Sequence, residues 1–287
     1  SVRGGCGFRF ERRRQGSGLR SDRDRVKIRL RTDKIYRSAF VNRKEKRKGA
    51  LDIIIREDKE KYMWELKKWL LETKESGLEE MSSFFSARLD IYEEHMSIWT
   101  SAYRRFAKLL PKNSKKVLDL GCGTGLELDE IFSLFPEIEV TGVDLCCEML
   151  DKLAQKHPDK NLKTVCSDYF RFDLQKGHWD AVISFESLHH FLPGDKLVLY
   201  RKIRESLKDN GVFLLGDYIA CCDEEETLLR EAWREKRARF SIPEGRFVHF
   251  DIPLTLEHET EILQKAGFSE VLPKDSLDGA TLILARK

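Results

Sequence analysis

The stretch Lys116-VLDLGCGTGLELDE-Ile131 joins a short apolar run to a glycine turn and then to a helix-like pattern, an order that few folds accommodate. Val117, Leu118 and Leu120 form the short apolar run of a parallel strand covered on both faces, and the residues from Thr124 onward read as a helix. The turn between them is Gly121-Cys122-Gly123-Thr124-Gly125. Glycines at this spacing let the chain bend sharply and let a ligand approach where a Cβ would collide. In open α/β sheets the carboxyl ends of the strands are where ligands bind. A nucleotide-like cofactor is the first expectation.

A dinucleotide-binding turn has the pattern GxGxxG, and its third glycine would fall where this chain has Leu126. The pattern here is GxGxG. Asp119, inside the strand and two residues before the first glycine, is a second departure, because a carboxylate there suits a cationic ligand better than a pyrophosphate. An acidic residue followed by GxGxG resembles the first motif of the class I, Rossmann-like S-adenosylmethionine-dependent methyltransferases.

Three further strand ends extend the resemblance. Ile138-EVTGVD-Leu145 ends in Asp144, about 20 residues beyond the loop, where a ribose-binding carboxylate belongs. Leu162-KTVCSD-Tyr169 ends in Asp168, matching the acidic residue that holds the adenine amino group in this family. Trp179-DAVISFES-Leu188 brings Ser184 to Glu186 to the mouth of a fourth strand. The resemblance implies S-adenosyl-L-methionine as cofactor, held by Asp119, Gly121, Cys122, Gly123, Gly125, Asp144, Leu145, Asp168, Tyr169 and Ser184. Each also has a plainer reading: Asp144 as a cap for a helix starting near Cys146, Asp168 as a turn residue, the glycines as a tight turn without a ligand.

The implied fold is α/β, a seven-stranded, mostly parallel sheet in the order 3-2-1-4-5-7-6 with one antiparallel strand and helices on both faces. Gly211 to Ile219 reads as the fifth strand, with Phe268–Pro273 and Ala280–Arg286 as the closing pair. Asp195–Lys208, Glu224–Phe240 and Thr255–Ala266 read as helices. This domain spans 111–287. Residues 57–110 read as a helical cap: Met63, Leu66, Trp69 and Leu70 share a helical face, and Met81–Ser97 resembles the lid of small-molecule methyltransferases.

Charge divides the chain. Residues 1–50 hold 18 of the 52 Lys and Arg but 5 of the 49 Asp and Glu, a balance of +13, which leaves −10 for the rest. Residues 1–56, with few large apolar side chains, therefore read as a disordered basic arm. Such an arm permits nucleic-acid phosphate binding, or none beyond solvation. The seven cysteines, an odd number without a CxxC pair, read as reduced thiols, with Cys122 and Cys166 as small core residues and no metal site. No apolar run approaches the ~18 residues of a membrane helix, and the Arg-rich start has no continuous apolar core of a signal peptide, so the default compartment is cytoplasmic.

At the acceptor end, Glu186-SLHHF-Leu192 places His189 and His190 at the ligand edge of the sheet. Some phosphobase methyltransferases use a histidine in a similar position with a tyrosine from the cap, so His190 with Tyr92 is the candidate catalytic pair, acting on a small-molecule acceptor. Two other classes fit the sequence: an RNA methyltransferase using the basic arm, although an Asn-Pro-Pro-Tyr-type motif is absent and the fourth strand ends Ser184-Phe-Glu-Ser187, and a cofactor-binding protein without catalysis.

Overall fold

Alternate residues of the central strands divide between two apolar cores, and this division is what makes the fold a three-layer sandwich. In a computed structural model that describes residues 59–277 and 279–287, the strands are β1 (Lys116–Leu120), β2 (Glu139–Asp144), β3 (Leu162–Cys166), β4 (Trp179–Phe185), β5 (Leu207–Tyr218), β6 (Glu270–Leu277) and β7 (Ala280–Arg286). Val117, Ile183 and Leu214 point into one core, while Leu118, Val182 and Phe213 point into the other. The strand order is β3-β2-β1-β4-β5-β7-β6, with β7 antiparallel to both its neighbours, as the sequence resemblance implied. The basic arm lies outside the described residues.

The helices are α1 (Lys59–Glu72), α2 (Met81–Ser86), α3 (Leu89–Met96), α4 (Thr100–Leu109), α5 (Leu126–Leu134), α6 (Cys147–Lys156), α7 (Pro193–Ser206), α8 (Asp223–Arg239) and α9 (Leu256–Lys265). The expected cap does not behave as one unit. Ala102, Tyr103, Phe106 and Ala107 form one buried face of α4, which seats Tyr103 and Phe106 against Phe185 of β4, with ring centroids 4.6 and 5.2 Å apart. That helix is part of the sheet's cover. In the stretch before it, α2 and α3 roof the ligand edge, and α1 braces that roof by packing Tyr62, Met63 and Leu66 against Tyr218, Leu229 and Phe250.

Two devices hold this roof. The first is a buried carboxylate: Glu225, at the acidic start of α8, accepts hydrogen bonds from the hydroxyls of Tyr62 on α1 and Tyr218 at the end of β5. The second is a backbone zipper. Residues 79–81 pair antiparallel with 247–249, through His249 N–H to Glu79 C=O at 2.9 Å and Met81 N–H to Phe247 C=O at 3.2 Å. The 247–255 segment is stitched in turn to the sheet's edge, where Ile252 N–H donates to the His189 carbonyl. Four acidic residues open α8 and Lys236, Arg237 and Arg239 close it, complementing the helix dipole at both ends.

The cysteine expectation is corrected here. Cys147 and Cys166 form a disulfide between the start of α6 and the end of β3, and Cys166 is exposed rather than a core residue. The parallel register that sets Cys166 beside Asp144 also brings it to Cys147, a proximity that spacing along the chain does not reveal. Closing a loop of about this length stabilises a fold by ~3 kcal/mol through the unfolded chain. Cys166→Ser is therefore expected to lower the thermal midpoint by several degrees under non-reducing conditions, with no further fall on adding dithiothreitol; an unchanged midpoint would refute a stabilising bridge.

Candidate active site

The glycine turn after β1 is left-handed at three places: Gly121, Gly123 and Gly125 have φ of +77°, +49° and +70°. Two of them also have no room for a side chain. A Cβ on Gly121 would lie 2.0 Å from the Ser187 hydroxyl, and one on Gly125 would lie 2.4 Å from Leu153 of α6. The sequence therefore folds this loop tightly against the neighbouring strand end on one side and against α6 on the other.

This loop and the roof enclose one cavity, about 540 Å³ of non-protein space that is partly open to solvent. Gly121, Gly123, Asp144, Leu145, Cys146, Met149 and Tyr169 line it from the sheet side, and Met81, Phe85, Tyr92 and Phe247 from the roof. Glu186, Ser187 and His190 complete it at the β4 mouth. Among the sequence candidates, Gly121, Gly123, Asp144, Leu145, Tyr169, Tyr92 and His190 thus meet in one space.

The other candidates lie elsewhere. Ser184 spends its hydroxyl on the Leu120 carbonyl at 2.7 Å, tying β4 to β1 beneath the cavity. Asp168 caps a turn, accepting from Phe170 N–H at 2.8 Å, and does not line the cavity. Cys122 is buried, its thiol pushed well above its ordinary range by burial, and Gly125 serves as the left-handed cap of α5. Asp144 fulfils its plainer reading and still faces the cavity: one carboxylate oxygen accepts from Gly123 N–H at 2.9 Å, the other from Cys146 N–H at 2.8 Å. Each oxygen keeps a further lone pair for a ligand hydroxyl.

Asp119 supplies the test of whether a cationic cofactor fits. It is fully buried in β1 beside Glu127, behind the residues that line the cavity. Burial, reinforced by the neighbouring Glu127, pushes its carboxyl far above the carboxylate range, and Glu127 is itself raised to about 7 by burial. A pair of buried acids beneath the glycine loop suits a cationic group above that loop better than an anionic one.

The histidines at the β4 mouth differ sharply. His189 is held between two carboxylates, its Nδ1 2.7 Å from Asp217 and its Nε2 3.5 Å from Asp251. Although burial opposes charging, those two acids raise its pKa well above the ordinary value, so it is an imidazolium fixed in the wall. His190 goes the other way: burial and the neighbouring His189 charge hold it well below the ordinary range. Its Nδ1 lies 3.2 Å from the Phe250 carbonyl, which can only accept, so the proton sits on Nδ1 and Nε2 keeps its lone pair. Tyr92 remains a phenol, since burial raises its pKa far above 10.

Sequence reasoning missed Phe247, His249 and Asp251. They come from the return segment after α8, and their local sequence, Phe247-Val-His-Phe-Asp251, carries no motif that a single sequence exposes. His249 stacks on Phe84 of α2 with centroids 3.6 Å apart, and burial lowers its pKa to about 4.

Residues 117–211 match a family model described as "Methyltransferase domain". Among curated proteins, the chain is 30% identical over 177 residues to a carboxy-S-adenosyl-L-methionine synthase of Campylobacter fetus subsp. fetus, covering 57% of this chain and 74% of that one. It is 23% identical over 207 residues to the enzyme of the same name from Nautilia profundicola, covering 67% of this chain and 86% of the other. Among solved structures, it shares its fold with the S-adenosylmethionine-dependent methyltransferase SibL in its apo form (TM-score 0.56, 16% identity, 81% of this chain and 72% of that one). An O-methyltransferase family protein from Burkholderia thailandensis has the same fold at TM-score 0.54 and 16% identity; the match covers 69% of this chain and 59% of that one.

Proposed function

Because this chain belongs to the class I S-adenosylmethionine-dependent methyltransferases, with S-adenosyl-L-methionine as its cofactor, we propose that it methylates a small-molecule acceptor bound beneath the α2–α3 roof. The carrying observation is that cofactor-loop residues Gly121 and Gly123 and roof residues Phe85, Tyr92 and Phe247 line the same cavity. An acceptor reaching that space must be small enough to be covered. A roof of this kind excludes water and fixes approach geometry, which is most of what methyl transfer requires.

In this reading Asp144, Leu145 and Tyr169 hold the nucleoside half of the cofactor, while the glycine loop, with Asp119 buried behind it, faces the cationic half. Bound cofactor supplies an electrophilic methyl on a positively charged sulfur. His190 Nε2 accepts the acceptor's proton, and the neutral Tyr92 hydroxyl orients either the acceptor or His190. Asp168 and Ser184 act through their neighbours, shaping the turn after β3 and the β1–β4 seam.

Incubating the full chain with cell extract and methyl-labelled S-adenosylmethionine, followed by mass spectrometry, is expected to yield a labelled low-molecular-weight product. Label confined to RNA would replace this reading with the nucleic-acid one. The relatives' name offers another outcome: a cofactor that has itself gained a carboxyl group. No helix among the described residues is long and apolar enough to cross a membrane.

A further inference from the structure

Two acids among the described residues line the cavity, Asp144 and Glu186, and of these Glu186 has an oxygen with no hydrogen-bond partner; Asp217, behind the lining, also has one. Both oxygens of Asp144 accept backbone N–H groups. Asp217 accepts from His189, and Asp251 lies 3.4 and 3.5 Å from His190 and His189. Glu186 lines the cavity with its side chain only 8% exposed, and its Oε1 is buried without a hydrogen-bond partner; its other oxygen is 3.9 Å from the His189 ring. The residue also has φ +49°, in the left-handed region that side chains seldom adopt, and its N–H donates to the Gly216 carbonyl at 2.7 Å. The fold thus presents this carboxyl to the cavity in a strained conformation and leaves it unsatisfied, a feature that belongs at ligand sites.

Charge and shape around Glu186 narrow the ligand. Glu186, Asp217, Asp251 and Glu259 are buried or half-buried acids at this end, and the cations among them are the His189 imidazolium and Lys196, which is 2.5 Å from Glu259 and 3.9 Å from Asp217. Burial, with Asp217 and Asp251 nearby, pushes the Glu186 carboxyl well above the carboxylate range, a penalty on its charged form that a bound cation relieves. The cavity walls add the aromatic rings of Phe85, Tyr92, Tyr169 and Phe247 and, among the described residues, no Lys or Arg. A carboxylate beside aromatic faces favours a cation with N–H donors, tolerates a neutral hydroxyl less well and repels an anion.

Resting on the small-molecule reading above, we infer that Glu186 forms an ammonium-binding subsite and that the acceptor is an amine, methylated on nitrogen. The amine enters protonated, with one N–H on Glu186. Another ammonium proton passes to His190 Nε2, which leaves a lone pair on nitrogen. That pair forms the new N–C bond as the sulfonium C–S bond breaks, the electrons of the broken bond remaining on sulfur. The products are an N-methylammonium and a neutral thioether, and His190 returns its proton to water.

The test uses the full chain loaded with S-adenosylhomocysteine and three probes of one skeleton: phenethylamine, 2-phenylethanol and phenylacetate. Calorimetry is expected to show the amine binding at least ~10-fold more tightly than the alcohol, an advantage in the range of a charge-assisted hydrogen bond, with no phenylacetate binding. Glu186→Gln should abolish that preference while leaving S-adenosylhomocysteine affinity unchanged, and Glu186→Asp should restore part of it. Equal affinity for amine and alcohol, binding of phenylacetate, or no binding by any probe overturns the inference. So does a Glu186→Gln variant that folds normally but loses cofactor affinity, because the carboxyl would then belong to the cofactor. A labelled small product carrying its methyl on oxygen, sulfur or carbon would overturn this inference and leave the small-molecule reading standing.

Discussion

His190→Asn is expected to lower turnover by ~100-fold or more while leaving cofactor affinity intact, the loss typical of removing a positioned general base. The expectation rests on the tautomer. Nδ1–H is committed to the Phe250 carbonyl, so the nitrogen with the free lone pair is Nε2, and His190 is among the cavity-lining residues. Asn retains polarity and approximate size but cannot take a proton. The sign of the pH effect follows from the depressed pKa: parental His190 stays neutral and competent well below pH 6.5, and its activity is lost only as pH falls through that lowered value. His189→Asn serves as the contrast, because removing an imidazolium from between Asp217 and Asp251 should appear mainly as lost stability. Near-parental turnover in His190→Asn, with an unmoved pH profile, would leave orientation and water exclusion as the whole of catalysis.

Asp144→Ala is expected to weaken S-adenosylmethionine binding by roughly 10- to 150-fold, the equivalent of about 1.5 to 3 kcal/mol for hydrogen bonds to a charged group. Two losses combine in that figure. The carboxylate ceases to accept ligand hydroxyls, and Gly123 N–H and Cys146 N–H lose the acceptor that fixes the loop and the start of α6. Asp144→Asn separates them, since one amide oxygen can keep one backbone bond but presents no charge. Calorimetry on both variants, with circular dichroism to verify folding, would decide the matter. Unchanged affinity in Asp144→Ala would remove this residue from the cofactor site, and tight NAD binding by the parent would contradict the family assignment.

Strand ends were legible because their chemistry is local. The GxGxG turn and Asp144 each stand at the end of an apolar run, and the backbone geometry of a parallel strand entering a helix carries them to one edge of the sheet, with Asp119 buried in β1 just before it. Ser184 shows the limit of that logic. It stands at a strand end as expected, but side chains alternate across a strand, and its hydroxyl points into the β1–β4 seam instead of the cavity. Asp168 likewise turns back to cap Phe170 N–H, a choice between two acceptor roles that depends on where the chain goes next.

The sequence by itself determined the strands and the glycine turn, because hydrophobic periodicity and the steric demands of glycine are properties of neighbouring residues. The order of the strands came from the family resemblance and not from periodicity. Only the tertiary structure decided the acceptor end. The opposite protonation of His189 and His190 depends on Asp217 from β5 and Asp251 from the segment after α8, 28 and 62 residues from His189 along the chain. The unpartnered Glu186 oxygen and the pairing of Cys147 with Cys166 are likewise set by which strands and loops become neighbours. Electrostatic environment is a sum over spatial neighbours, and a single sequence gives only the chain neighbours.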